Sequence, residues 1–278
     1  MPTGRSLYLA LLPAILLLTL LTFGLAKLIA VSFDTGHGIG LASYVGFFAR
    51  PDYVRMLWRT LLVALATTVI CVLIGYPTAW FISRCQAHRS LFLLLVILPW
   101  LVSVVVRTYG WIVLLGNKGL INNLLVLMGA TQRPIPLMFN LVGVIIGLVH
   151  ISLPFMILAI LAAFRHLDGA LAEAAMSLGA RPWQSFRRVI LPLTMPGVMS
   201  GCSLVFLSTT GVIVTPLLLG GLRDGMMGTQ IYQEMFIVFS YPKAATMAVL
   251  LALCGVLVIV PLQWLERRMS RHSRAAQA

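Results

Sequence analysis

Long apolar runs at about residues 7–32, 57–82, 91–115, 137–163, 196–219 and 244–265 alternate with short polar gaps along the chain. Roughly 20 mostly apolar residues wound as an α-helix cross the ~30 Å hydrocarbon core of a bilayer, and a backbone in lipid must satisfy its own hydrogen bonds. The pattern predicts an all-α integral membrane fold of six transmembrane helices, with residues 1–278 forming one transmembrane domain. The first run, Leu7 to Val31, is too long for the apolar core of a signal peptide and has no convincing small-x-small cleavage site, so it reads as a retained span.

Charge then assigns the gaps to sides, because Lys and Arg collect on the cytoplasmic side of membrane proteins. One alternating set of gaps holds eleven cations: Arg5, Arg84, Arg89, Arg165, Arg181, Arg187, Arg188, Arg267, Arg268, Arg271 and Arg274. The other holds seven, Arg50, Arg55, Arg59, Lys118, Arg133, Arg223 and Lys243, in company with Asp34, Asp52, Asp224 and Glu234. Both termini are therefore expected in the cytoplasm of a multi-pass membrane protein. Lys27 and Arg107 fall inside or near the ends of spans, where long cationic side chains reach toward the interface.

Composition agrees with that picture: 60% of residues are hydrophobic and 10% charged, with a mean hydropathy of +1.00, far from the usual soluble mix. A net charge of +13 in a soluble protein would raise the question of nucleic acid. Here the cations are a topology signal, and the expected surroundings are lipid.

Soluble chemistry is nearly absent. Cys71, Cys85, Cys202 and Cys254 are scattered without metal or redox spacing, and the five histidines never form an i, i+4 pair around a Glu. No phosphate-cradling glycine loop ending in Lys-Ser/Thr occurs, so no cofactor is expected on this chain. A membrane enzyme would need convergent titratable groups inside the spans, and an ion-coupled transporter would want inverted repeats with matched broken helices. Neither pattern is present.

The gap at about 164–195 is the exception. Asp168 is placed to cap a helix over Ala170 to Leu178, and Gly179 is placed to stop it in the left-handed conformation. Pro182 suits the first position of a second helix reaching Ile190, with Trp183, Phe186 and Ile190 as its apolar stripe and Arg187 and Arg188 on other faces. Leu191 and Pro192 are expected to end it before the fifth span. Elsewhere Gly75 with Pro77, Pro99, Pro154 and the Gly143, Gly147 pair suit helices that bend or approach closely.

Glu173-Ala174-Ala175, Gly179 four residues on, and Val189-Ile190-Leu191-Pro192 resemble the EAA loop of binding-protein-dependent ABC importer permeases, with Val189 in place of Ile as the departure. The resemblance covers essentially the whole chain, since that family places the loop between spans four and five of six. It implies a coupling surface, comprising Glu173, Ala174, Ala175, Gly179, Pro182, Phe186, Leu191 and Pro192, that docks into a groove on a cytoplasmic ATPase. It also implies two ATPase copies carrying ATP and Mg, a second homologous permease subunit as heterodimer partner, and an extracytoplasmic substrate-binding protein. The chain itself is then a transporter subunit and not an enzyme.

Tyr76-Pro77, Arg107-Thr108-Tyr109-Gly110-Trp111, Gly119-Leu120-Ile121-Asn122 and Thr215-Pro216-Leu217-Leu218-Leu219-Gly220-Gly221 resemble the spermidine/putrescine branch of that family. A polyamine is the expected cargo; an opine, an amino-acid-like solute or a small anion is the alternative, and ion-coupled transport a remote one. Arg107, Tyr109, Trp111, Thr215, Pro216, Gln230 and Glu234 are candidates for the substrate path or its gate. Each has a plainer reading: interface anchoring or packing for the aromatics, helix tethering for Arg107, and a solvated loop charge for Glu234. Met226 to Ser240 is expected to hold a short helix on the membrane surface.

Overall fold

The computed structural model describes residues 4–275 apart from 35–37, 86, 166, 168 and 222. The described residues are helical in architecture, their one bridge of extended backbone joining Asp34 and Ile39. In chain order the helices are α1 (Gly4–Ser32), α2 (Ala42–Phe48), α3 (Pro51–Arg84), α4 (Arg89–Leu101), α5 (Val104–Leu115), α6 (Leu120–Leu127) and α7 (Leu141–Arg165). After these come α8 (Gly169–Ser177), α9 (Pro182–Ser185), a π-helical turn (Phe186–Ile190), α10 (Leu191–Thr210), α11 (Val214–Leu219), α12 (Met227–Phe236) and α13 (Tyr241–Ala275).

Among the described residues, six stretches are long and apolar enough to cross a membrane: Leu12–Ser32, Pro51–Arg84, Val104–Leu127, Leu141–Arg165, Pro182–Thr210 and Tyr241–Trp264. Two expected boundaries are corrected. The run at 91–115 is not one helix, because the backbone turns extended at Val102 and separates the short apolar α4 from α5. The segment after Pro182 does not stop at Leu191 and Pro192 but runs unbroken into the fifth span, which reaches Thr210 and not 219. The wide turn explains this: the Leu191 amide donates to the Phe186 carbonyl, five residues back. That register shift loosens the turn just where Pro192 lacks a donor and its ring would crowd a normal α-turn.

Contacts divide the chain into two compact units, one of Met1–Arg55 with Gln230–Leu253 and one of Met56–Thr229 with Cys254–Ala278. Within the first, the Thr246 hydroxyl donates to the Ser32 carbonyl at 3.1 Å, and the Ser32 and Tyr44 hydroxyls pair at 2.8 Å.

The second unit is built on α3, α7 and α10. Cys71, Ala79 and Ile82 of α3 meet Met156, Ile157, Ile160 and Leu161 of α7 and Val198 and Val205 of α10 in a buried cluster. Glycines set the approach. A Cβ on Gly197 would meet the Ala163 Cβ at 2.6 Å and the Ala159 carbonyl oxygen at 2.8 Å, so only a bare backbone fits between α10 and α7. Gly147 likewise faces Thr215 and Leu219 of α11, each 2.8 Å from where a Cβ would stand.

Candidate functional site: the helix-turn-helix and the polar groups of the spans

The helix-turn-helix forms from local signals. Gly179 adopts φ +89°, and the amides of Gly179 and Ala180 donate to the carbonyls of Met176 and Ala175, closing the end of α8. Arg181 is extended, as a residue before proline must be, and Pro182 opens α9. The Gln184 side-chain oxygen accepts the Arg181 amide at 3.0 Å, satisfying a donor ahead of the helix. Asp168, the expected cap of α8, lies outside the described residues, and Glu173 is described through its backbone in α8.

Ala174, Gly179 and Pro182 are exposed, and Ala175 and Leu191 are half-buried. Leu178 is 89% and Trp183 67% exposed, giving the turn an apolar face beside the cations Arg181, Arg187 and Arg188, all exposed. Phe186 points inward: its ring stacks on Trp80 of α3 at a centroid distance of 4.9 Å and meets Tyr76 edge-on at 5.9 Å. The Tyr76 and Thr194 hydroxyls pair at 2.9 Å. The segment is thus fixed to α3 on its inner side and open on its outer side.

The candidate path residues fall in two groups. Arg107 lies on α5 and donates from Nη1 to the Pro99 carbonyl at 3.1 Å. That carbonyl is stranded by the break at Val102, so the guanidinium ties α4 to α5, in keeping with its tethering reading. Trp111, one turn on, donates its indole N–H to His150 Nδ1 at 3.1 Å, with the rings edge to face. His150 stands outside the motifs read from the sequence; its place in the middle of the apolar run 137–163 is the signal that marks it. Tyr109 is 65% exposed on the far side of α5, while Thr215 and Pro216 are buried in α11, where Thr215 packs near Gly147.

Gln230 and Glu234 belong to the first unit, on α12, which supplies the expected short helix. Glu234 is 5% exposed, so the solvated-charge reading does not hold. Its Oε1 accepts from the Tyr53 hydroxyl at 3.2 Å and from Gln230 Nε2 at 3.1 Å. Arg50 in turn donates to the Tyr53 hydroxyl at 3.1 Å and lies over its ring. A cleft of about 430 Å³ opens beside them, lined among others by Arg50, Tyr53, Ser240 and Lys243.

Comparison with known proteins decides what this assembly is. The profile of the family described as "Binding-protein-dependent transport system inner membrane component" matches residues 38–271. The chain belongs to that family. Among relatives of this inner membrane component, the spermidine/putrescine transport system permease protein PotB of Haemophilus influenzae is 40% identical over 239 residues, covering 83% of each chain. PotB of Escherichia coli K12 is 38% identical over 212 residues, covering 76% of this chain and 77% of its own. A bacterial alginate ABC transporter, solved in complex with an alginate pentasaccharide-bound periplasmic protein, shares the fold at a TM-score of 0.79, 21% identity and 95% coverage of both chains. Family membership makes this chain a multi-pass protein of the inner membrane.

Proposed function

We propose that this chain is the transmembrane permease subunit of an ATP-driven ABC importer that carries a polyamine into the cytoplasm. The 40% identity to a spermidine/putrescine permease over 83% of the chain carries the reading. An extracytoplasmic binding protein delivers the cargo, and a second homologous permease completes the pathway, as a heterodimer. Two ATPase subunits in the cytoplasm hold the ATP and Mg. This chain holds neither; its task is to change shape when they close.

The helix-turn-helix at 164–195 is proposed as the docking surface for the ATPase, with the termini on the same side. Glu173, Ala174, Ala175, Gly179, Pro182, Leu191 and Pro192 belong to it, while Phe186, expected on that surface, instead anchors the segment to α3 from its inner side. Support comes from an exposed apolar centre, Leu178 and Trp183, rimmed by Arg181, Arg187 and Arg188. Such a face suits an apolar groove with an acidic rim.

The second reading is a small anionic or opine-like solute, favoured by Arg107, a cation carried within the third span. Its bond to the Pro99 carbonyl gives that guanidinium other employment and weakens the alternative. Uptake of labelled spermidine by cells holding the complete transporter decides between them. Competition by unlabelled putrescine or spermidine is expected; competition by a small anion with none by either polyamine would overturn the cargo assignment.

A further inference from the structure

We propose that Tyr76 and Trp80 make the Arg84 end of the second span a working part of the coupling segment, so that α3 travels with the turn when the ATPase moves it. This rests on the docking role proposed for the helix-turn-helix and adds the route by which its displacement enters the membrane.

The geometry is a line of rings. Trp183, two-thirds exposed on the docking face, stacks on Phe186 at 5.5 Å and 25°. Phe186 stacks on Trp80 at 4.9 Å and 29°, and Trp80 carries the Arg84 guanidinium 4.7 Å from its ring centre. Tyr76, one turn from Trp80, meets Phe186 at 5.9 Å and also Phe164 at the end of α7 at 5.8 Å. The line therefore runs from the exposed face of the turn to the buried α3–α7–α10 cluster, which includes Ala79 and Ile82 as the neighbours of these rings along α3.

Its position across the π-helical turn gives this line more than a packing role. Phe186 is the first residue of that turn, and Thr194 lies four residues past its end. α3 grips the first through the rings and the second through the Tyr76 to Thr194 hydroxyl pair at 2.9 Å. A wide turn is where a helix bends most easily. Left alone, it would absorb a push on α9 by bending. Held to α3 on both sides, it cannot bend without breaking the stack or the hydroxyl pair, so the push is shared between α10 and α3. Tyr76 and Trp80 are positioning residues in this scheme; neither needs to touch cargo or nucleotide.

The test uses the assembled transporter in proteoliposomes with its binding protein and ATPase, scoring substrate moved per ATP hydrolysed. For Trp80→Leu the ATPase stays bound and ATP hydrolysis persists, while the transport ratio falls by roughly tenfold, within the span of coupling effects through packed side chains. Trp80→Phe, which keeps a stacking ring, retains most of the ratio. Tyr76→Phe deletes only the hydroxyl and lowers the ratio by a smaller factor; it answers the question should Trp80→Leu fail to accumulate. An unchanged ratio in both Trp80→Leu and Tyr76→Phe overturns the proposal and leaves the docking role standing. Release of the ATPase from Trp80→Leu also overturns it, by making Trp80 a part of the docking surface. The docking role itself fails on separate variants, if Glu173→Ala and Gly179→Val both transport normally.

Discussion

Gly179 has open space where a Cβ would project, so what a side chain costs there is conformational and not steric. At φ +89° an L-residue is disfavoured by about 1–2 kcal/mol, and a β-branched one more. Gly179→Val is therefore expected to redirect the turn between α8 and α9, whereas Asn, which tolerates the left-handed region, keeps it. Glu173 stands inside α8, where Ala is a good helix former, and Glu173→Ala is expected to shift stability by only a few tenths of a kcal/mol. Both proteins should accumulate in the membrane at near-normal levels yet lose uptake and substrate-stimulated ATP hydrolysis, with weakened ATPase association most evident for Gly179→Val. Quantitative immunoblots beside uptake rates check this; normal uptake at matched levels in both would remove the coupling role. The residues of this turn are legible in the sequence because a glycine stop and a proline start are local signals. The Trp111 to His150 bond and the Tyr53 to Glu234 bond are not, since each joins positions brought together only by tertiary packing.

Between elements, α10 approaches α7 closely, and its two glycines there are not equivalent. A Cβ at Gly197 would press on the Ala159 carbonyl and the Ala163 Cβ, which can yield only if the helices part. At Gly201 the nearest obstacle is the Met156 Sδ, 2.7 Å away on a flexible side chain. Gly197→Val is expected to cost at least about 1–3 kcal/mol through overpacking, visible as lower thermal stability of the detergent-solubilised protein, while Gly201→Ala stays close to wild type. Equal losses at both sites would mean that the side chain of Met156 is as immobile as backbone. The apolar runs announce these helices, but not the break at Val102 or the continuity through Pro192. Val102-Ser103 carries no stop signal of its own, with the nearest proline three residues earlier, at Pro99. Pro192 reads as a terminator until the π-helical turn ahead of it is known, and a hydrogen-bond register shift leaves no mark in composition.

At the scale of the whole molecule, the six apolar runs of the sequence and a cation bias of eleven against seven between their gaps argue for both termini and the helix-turn-helix on the cytoplasmic side in the proposed arrangement. A single cysteine at Ala180, in a background with Cys71, Cys85, Cys202 and Cys254 replaced, should resist a membrane-impermeant thiol reagent in intact cells and react once the cells are opened. Labelling from outside would invert the topology. The break at Val102 also bears on how the chain enters the bilayer during synthesis. α4 has 13 residues and reaches only about 20 Å, too short to cross alone. The next stretch, Val104–Leu127, has a mean hydropathy of 1.3, the lowest of the six spans, and it carries Arg107 and Lys118 into the insertion machinery. The third crossing is thus the one that lipid partitioning favours least, and the bond from Arg107 to the Pro99 carbonyl exists only once α4 and α5 have entered as a pair. Pairing of α4 with α5 is therefore expected to govern insertion of this part of the subunit, with the more apolar segments on either side holding the growing chain in the membrane until it forms.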